Sequence, residues 1–339
     1  MNSNKKKIII LSSKSKLNNA RNAENFASNK IKEFFIQKNY KVYTNIQFKD
    51  LFSKKDIYII ITGGYAYVFR KNIIYLLLRK IIGRGKTEII SRYTGEYMST
   101  YMYWEGYEKF RSIVKYNVIH SAIFLISTKI LAAGPISYKY LKYIYPYKKI
   151  RIFPTPVLYP ERVLKKKDIS KKSILKVGFC GGLDVEKGYD IFLEIIKIYN
   201  NNLNKNGFYL DSNKKISFQI LGEQTHKNTS LLKKEKNLKV SIKRPVPRKE
   251  LINWMRELDF LLFCNPMSYG FGQVCLEALS LGNYLLVYRS LGDIRFRYPS
   301  KIFYSPNHAL DIIMNSKNLN QPDYPTEFEK NIYSESLIK

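Results

Sequence analysis

The chain has 339 residues, 45% of them hydrophobic and 14% aromatic, which is enough apolar material for one or two packed cores and too much for a disordered polymer. Lys and Arg number 58 against 27 Asp and Glu, a formal net charge of +31 that calls for an anionic partner. Three cysteines, Cys180, Cys264 and Cys275, cannot all pair, which excludes a disulfide scaffold and fits a reducing compartment.

The basic cluster Lys5-Lys6-Lys7 is followed by only the short apolar run Ile8 to Leu11, too brief for a signal-peptide core and suited to a buried strand. A polar loop, Ser12 to Asn19, leads to Ala23, Phe26, Ala27, Ile31, Phe34 and Phe35 at helical spacing. Lys41 to Tyr43 opens an extended piece, and Asp56 to Ile61 reads as an apolar strand ended by Gly63-Gly64. Phe69 to Ile82 reads as a basic amphipathic helix, with Ile73, Ile74, Leu77, Leu78, Ile81 and Ile82 beside Arg70, Lys71, Arg79, Lys80 and Arg84. It is either an anionic-membrane anchor or a crossover helix packed on a sheet. Glu88 to Ser91 and Ala122 to Ser127 read as further strands. No apolar run reaches the roughly 18 residues of a membrane span, so a cytoplasmic protein is expected, held at most peripherally on a membrane.

The pattern breaks at Pro154, Pro156 and Pro160 and at the basic groups Lys165-Lys166-Lys167 and Lys171-Lys172. We place a linker at 158–172, between an N-terminal domain over 1–157 and a C-terminal domain over 173–322, with a tail at 323–339. The alternation then restarts. Leu175 to Cys180, Ile216 to Leu221, Phe260 to Cys264 and Tyr284 to Tyr288 are strands; Tyr189 to Tyr199, a segment opened by Pro247, and Gln273 to Ser280 are helices. Strands alternating with helices imply parallel α/β sheets, here two doubly wound Rossmann-like domains with a cleft at the carboxyl ends of the strands. Residues 1–160 carry 29 basic and 8 acidic side chains, a net of +21 out of +31, so the excess lies mainly in the first half. Anionic membrane and nucleic acid are its two candidate partners, although no nucleic-acid-binding motif is present.

Two constellations carry chemistry. Gly178-Phe179-Cys180-Gly181-Gly182-Leu183-Asp184-Val185-Glu186-Lys187-Gly188 lies between a strand and a helix, where backbone N–H groups approach a phosphate and Lys187 adds a cation. Asn265 to Gly272, with Tyr269-Gly270-Phe271-Gly272, precedes a helix whose Glu277 falls in an apolar stretch. A carboxylate there needs polar partners, and ribose hydroxyls suit it.

These landmarks resemble the donor domain of the retaining glycosyltransferases of family GT4, which have the GT-B fold. The resemblance spans 174–292: Gly181-Gly182-Leu183 with Lys187-Gly188, Leu221-Gly222-Glu223, Arg244-Pro245-Val246-Pro247-Arg248, Tyr269-Gly270-Phe271-Gly272 with Glu277-Ala278, and Gly292. In the first half, Ile89 to Tyr97 resembles an acceptor-domain strand and loop. Phe124-Leu125-Ile126-Ser127 and Lys149 to Pro154 resemble its last strands. The resemblance implies retaining transfer of a sugar from a UDP- or GDP-linked donor to a glycan or lipid-linked acceptor, with neither metal nor separate cofactor. It assigns Lys187 to the diphosphate, Glu277 to the donor ribose, and Gly270, Phe271 and Gly272 to the donor sugar and phosphates. Gly181, Gly182, Gly222, Arg244 and Tyr269 join the donor site, and Glu96 takes the catalytic place nearest the reacting sugar in the first domain. The chain departs from the family pattern in three places. Tyr269 replaces its first glutamate and Gly182 its arginine, and none of His120, His226 and His308 falls at its histidine position. A nucleic-acid acceptor, or a binding protein with a decayed donor site, are the other readings.

Overall fold

The computed structural model describes residues 6–11, 23–63, 65–93, 106–153, 165, 167–204, 214–223, 240–244, 246–266, 273–289 and 302–316. They fall into two compact units, one within 1–156 and one within 157–325.

The first unit runs β1 (Lys6–Leu11), α1 (Ala23–Gln37), β2 (Val42–Tyr43), β3 (Asp56–Ile61), α2 (Tyr65–Ile82), β4 (Thr87–Tyr93), α3 (Gly106–Ile126), β5 (Lys129–Ala132), α4 (Pro135–Ile144) and β6 (Lys149–Ile152). Its strands form one parallel sheet in the order β2-β1-β3-β4-β5-β6. Continuous apolar runs such as Ile57 to Ile61 suit this place, since a parallel strand is covered on both faces. Ile9, Ile59, Val68, Leu76, Ile89 and Phe124 are among the side chains of its core.

One strand assignment is overturned. Ala122 to Ile126, including Phe124-Leu125-Ile126, belongs to α3, Ser127 follows it, and the strand is the four residues Lys129–Ala132. The apolar run is long enough for either element, and the period decides it. His120, Ile123 and Phe124 are buried while Leu125 is exposed, a helical stripe. The helix ends at Ser127, whose N–H and Oγ both donate to the carbonyl of Ile123 at 3.0 and 2.7 Å.

Arg79 is a second surprise, because this nominally surface cation is 1% exposed. Its Nε donates to Thr87 Oγ1 at 3.0 Å. Nη1 donates to the carbonyls of Leu51 and Ser53 at 3.1 and 2.7 Å, and Nη2 to those of Lys55 and Gly85 at 3.0 and 3.4 Å. All five guanidinium donors are thereby used. They tie the end of α2 to the chain entering β3 and to the turn before β4.

The second unit runs β7 (Ile174–Gly182), α5 (Tyr189–Asn204), β8 (Lys215–Glu223), β9 (Ser241–Lys243), α6 (Arg248–Glu257), β10 (Phe260–Phe263), α7 (Gln273–Ser280), β11 (Tyr284–Tyr288), β12 (Ile302–Phe303) and α8 (Pro306–Met314). Its sheet is also parallel, in the order β12-β11-β10-β7-β8-β9. The strand order therefore reverses between β7 and β10. Leu175, Val177, Phe192, Ile196, Ile220 and Phe260 are among its core residues. Part of the basic stretch before β7 is anchored to this unit. The Lys167 ammonium donates to Asn283 Oδ1 at 2.7 Å and to the carbonyls of Arg256 and Leu258. Lys172 pairs with the buried Asp259 at 2.5 Å, and Ile169 enters the core.

Replacing Arg79 with Met should lower the unfolding free energy by at least ~3 kcal/mol, because several buried carbonyls lose their donors. Arg79→Lys should fall in between, having fewer donors; urea denaturation measures both. Burial of His120 on α3 lowers its pKa to about 4. The unfolded chain therefore takes up more protons than the fold between pH 6.5 and 4. The His120 contribution to stability is complete above pH 6.5 and should be lost on acidification towards pH 4, by on the order of 3 kcal/mol. Melting curves of wild type and His120→Phe across that window check it, the variant losing this part of the acid sensitivity.

Candidate functional site

The second sheet builds its carboxyl edge from glycine. β7 and β8 stay paired to their last residues, Gly181 opposite Gly222 and Gly182 opposite Glu223. A Cβ on Gly222 would lie 2.0 Å from the carbonyl oxygen of Gly181, so only glycine allows this approach. Gly181 has φ +149°, a conformation that side-chain-bearing residues rarely adopt.

Beyond this pair the chain folds back tightly. The Leu183 N–H donates to the carbonyl of Glu223 at 3.0 Å. The Asp184 carbonyl then accepts from the N–H groups of Lys187 and Tyr189 at 3.0 and 3.2 Å, closing a 3₁₀ turn over Val185–Lys187. Gly188 is left-handed, with φ +73°, and a Cβ there would lie 2.0 Å from the carbonyl oxygen of Cys264. The turn after β7 thus rests directly on the end of β10. Lys187 is exposed at this turn, at the start of α5.

The neighbouring strand supplies the second expected motif. β10 ends at Phe263, and Cys264-Asn265-Pro266 leads out of it towards α7. Glu277 lies one turn into that helix among the buried Cys275, Leu276, Ala278 and Leu279, and is itself fully buried. That excludes the ordinary solvent-facing helix glutamate. Burial, with the Glu277 charge as a smaller cause, pushes the Cys275 thiol well above its ordinary pKa. Burial likewise raises Cys264, so both thiols are held protonated at neutral pH. Arg244 is exposed immediately after β9, whose Lys243 pairs with Leu221; the next position on β8 is Gly222.

The fold therefore brings Gly181, Gly182 and Gly222 together by strand pairing and sets Lys187 on the adjoining turn. It places Arg244 at the same end of the sheet and Glu277 on the helix that follows β10. Glu96, Tyr269, Gly270, Phe271 and Gly272 lie outside the described residues. Asp184 and Cys264 were not among the expected site residues, yet the Asp184 carbonyl closes the turn that presents Lys187 and the Cys264 carbonyl packs against Gly188 at its end. Backbone acceptors carry no residue-type signature, so sequence offers no signal for them. Among the described residues, no group of three His, Cys, Asp or Glu is placed to hold a metal ion, and no helix is long and apolar enough to cross a membrane.

No protein-family model matches the chain, and no curated protein is significantly similar to it in sequence. Solved structures do match. Sucrose-phosphate synthase from Thermosynechococcus elongatus is 12% identical with a TM-score of 0.64, over 98% of this chain and 96% of that one. The UDP-forming α,α-trehalose-phosphate synthase of Burkholderia xenovorans, in complex with glucose-6-phosphate, is 10% identical with a TM-score of 0.54. That match covers 91% of this chain and 74% of that one. The pneumococcal O-GlcNAc transferase GtfA is 14% identical with a TM-score of 0.46 over 77% of this chain, which spans only 48% of that protein. At such identities the likeness is one of fold: two parallel six-stranded sheets with flanking helices, the two-domain α/β architecture called GT-B.

Gly222→Ala should destabilise the second unit by roughly 2 kcal/mol or more, because the new methyl has backbone rather than a movable side chain in its way. Thermal denaturation measures it, and an unchanged melting temperature would contradict the close approach of β7 and β8.

Proposed function

We propose that the chain is a glycosyltransferase of the GT4 kind, moving a sugar with retention from a UDP- or GDP-linked donor to a glycan or lipid-linked acceptor. One observation carries this reading: the two motif-bearing connections leave β7 and β10, the strands flanking the reversal of strand order. In open α/β sheets, ligands bind outside the carboxyl ends of the strands at such a point.

The chemistry follows from the residues. When the bond between the anomeric carbon and the diphosphate oxygen breaks, its electron pair goes to the diphosphate. Stabilising that charge is the main catalytic task. The glycine turn after β7 lets the phosphates approach the backbone closely, and the Lys187 ammonium supplies the countercharge. Arg244 adds a second cation in place of the arginine that Gly182 replaces. The Glu277 carboxylate accepts hydrogen bonds from the ribose hydroxyls and so fixes the nucleoside. The glycine-flanked segment Gly270, Phe271 and Gly272 contacts the donor sugar, with Tyr269 selecting it where the family uses glutamate. Glu96, which follows β4 in sequence, takes the catalytic place nearest the reacting sugar in the first domain. With these charges in place the reaction needs no metal and no cofactor besides the donor itself.

Titration calorimetry with UDP and GDP tests the assignment. Wild type should bind one of them, and Lys187→Ala and Glu277→Gln should each weaken it roughly 10- to 100-fold, about 1.4–2.7 kcal/mol. Their melting curves should stay cooperative. Wild-type affinity in both variants would sink the site, whereas nucleotide binding without any sugar-nucleotide turnover would mark a decayed enzyme.

A further inference from the structure

We infer that the outward face of α2 and α3 docks the first unit on an anionic lipid bilayer, an inference independent of the reaction proposed above. α2 has two apolar faces. Tyr65, Val68, Leu76 and the caged Arg79 are buried on one. Ile74 is 67% exposed and Ile81 76% exposed on the other, with Leu77 and Leu78 between them also exposed. Spacings of three and four residues put these four on one stripe. A helix that only covered a sheet would need a single apolar face.

The stripe does not stand alone. α3 packs beside α2 and exposes Val118 and Leu125, the latter 60%. The helix ends are tied together: Lys80 Nζ donates to the carbonyl of Ile126 at 2.9 Å, and Lys148 Nζ to those of Leu125 and Ser127 at 2.5 and 2.9 Å. Lys148 belongs to the turn between α4 and β6, where Tyr147 is 99% exposed. Isolated exposed apolar residues are ordinary on any protein, but a stripe of them on one helix with further ones on the helix packed beside it marks an interaction surface.

Charge identifies the occupant. Arg70 and Lys71 flank the α2 stripe at one end and Lys80 and Arg84 at the other, all exposed. The sequence has no Asp or Glu between Asp56 and Glu88, and none between Glu108 and Glu161. Glu88 is taken up by Lys86 and Lys129, at 2.7 and 3.0 Å. The face is therefore apolar along its middle and basic at its margins. A bilayer carrying anionic headgroups meets both demands, hydrocarbon for Ile74 and Ile81 and phosphate for the cations. Nucleic acid offers the phosphate but no apolar sink for the aliphatic stripe. A second copy of the chain would bring the same cations against one another.

The test uses the full chain with vesicles of neutral phosphatidylcholine, and with vesicles containing about one third phosphatidylglycerol. Wild type should co-float with the anionic vesicles alone and release as salt rises. Ile74→Glu/Leu78→Glu/Ile81→Glu should weaken that binding at least tenfold with its melting curve intact. Should that variant not fold, Arg70→Gln/Lys71→Gln/Arg84→Gln gives the same reading from outside the core. Equal flotation with both vesicle types, or unchanged binding in the folded variants, overturns the inference. So does binding of duplex DNA without vesicles. A wild-type dimer that the stripe variant converts to monomer, with no vesicle binding, overturns it in favour of a second copy.

Discussion

The candidate site depends on a missing side chain. With hydrogen at the α-carbon of Gly222, β7 and β8 remain hydrogen-bonded to their carboxyl ends, and the Gly181 carbonyl passes where a methyl would otherwise be. That pairing delivers the chain to Leu183 and Asp184 in the one place from which the 3₁₀ turn can close and rest, through Gly188, on the end of β10. Two glycines thus let the paired strand ends and the turn after β7 pack against the end of β10, with Lys187 exposed on that turn. Any side chain at either position would push the strands or the turn apart, and the cation with them.

The same economy governs polar groups in the interiors. Arg79 carries its charge into the first unit with its guanidinium hydrogen-bonded to four carbonyls and a hydroxyl. Burial lowers its pKa, yet a guanidinium remains charged at any physiological pH. Lys167 does the corresponding work for the second unit, held by two carbonyls and an amide oxygen at the amino edge of the sheet. Burial lowers its pKa to about 8. Both are cations used as multi-donor fasteners for irregular chain, where loops would otherwise leave buried carbonyls unsatisfied.

The net charge of +31 accordingly has several uses. Some cations are structural, such as Arg79, Lys129 beside Glu88, and Lys7 paired with Asp50 at 2.5 Å. Lys187 and Arg244 stand at the carboxyl edge of the second sheet. Arg70, Lys71, Lys80 and Arg84 border an apolar face on the first unit. Composition sums these roles into one number, and they separate only when the burial of each side chain is known.

Much of the architecture was legible in sequence because it rests on local pattern. Runs such as Ile57 to Ile61 and Phe260 to Cys264 announce buried parallel strands, and glycines after two strands announce tight turns at a sheet edge. Run length alone misread Ala122 to Ser127, since five apolar residues before a serine satisfy a strand and a helix end equally well. Sequence by itself determined the alternation of strands and helices, the glycine turns and the distribution of charge, all of which depend on neighbours along the chain. Tertiary structure decided the strand order that sets β7 beside β10, the burial of Glu277 and Arg79, and the exposure of Ile74 and Ile81. Those depend on which distant segments share a sheet or a core, and pairing between residues dozens of positions apart leaves no mark in local spacing.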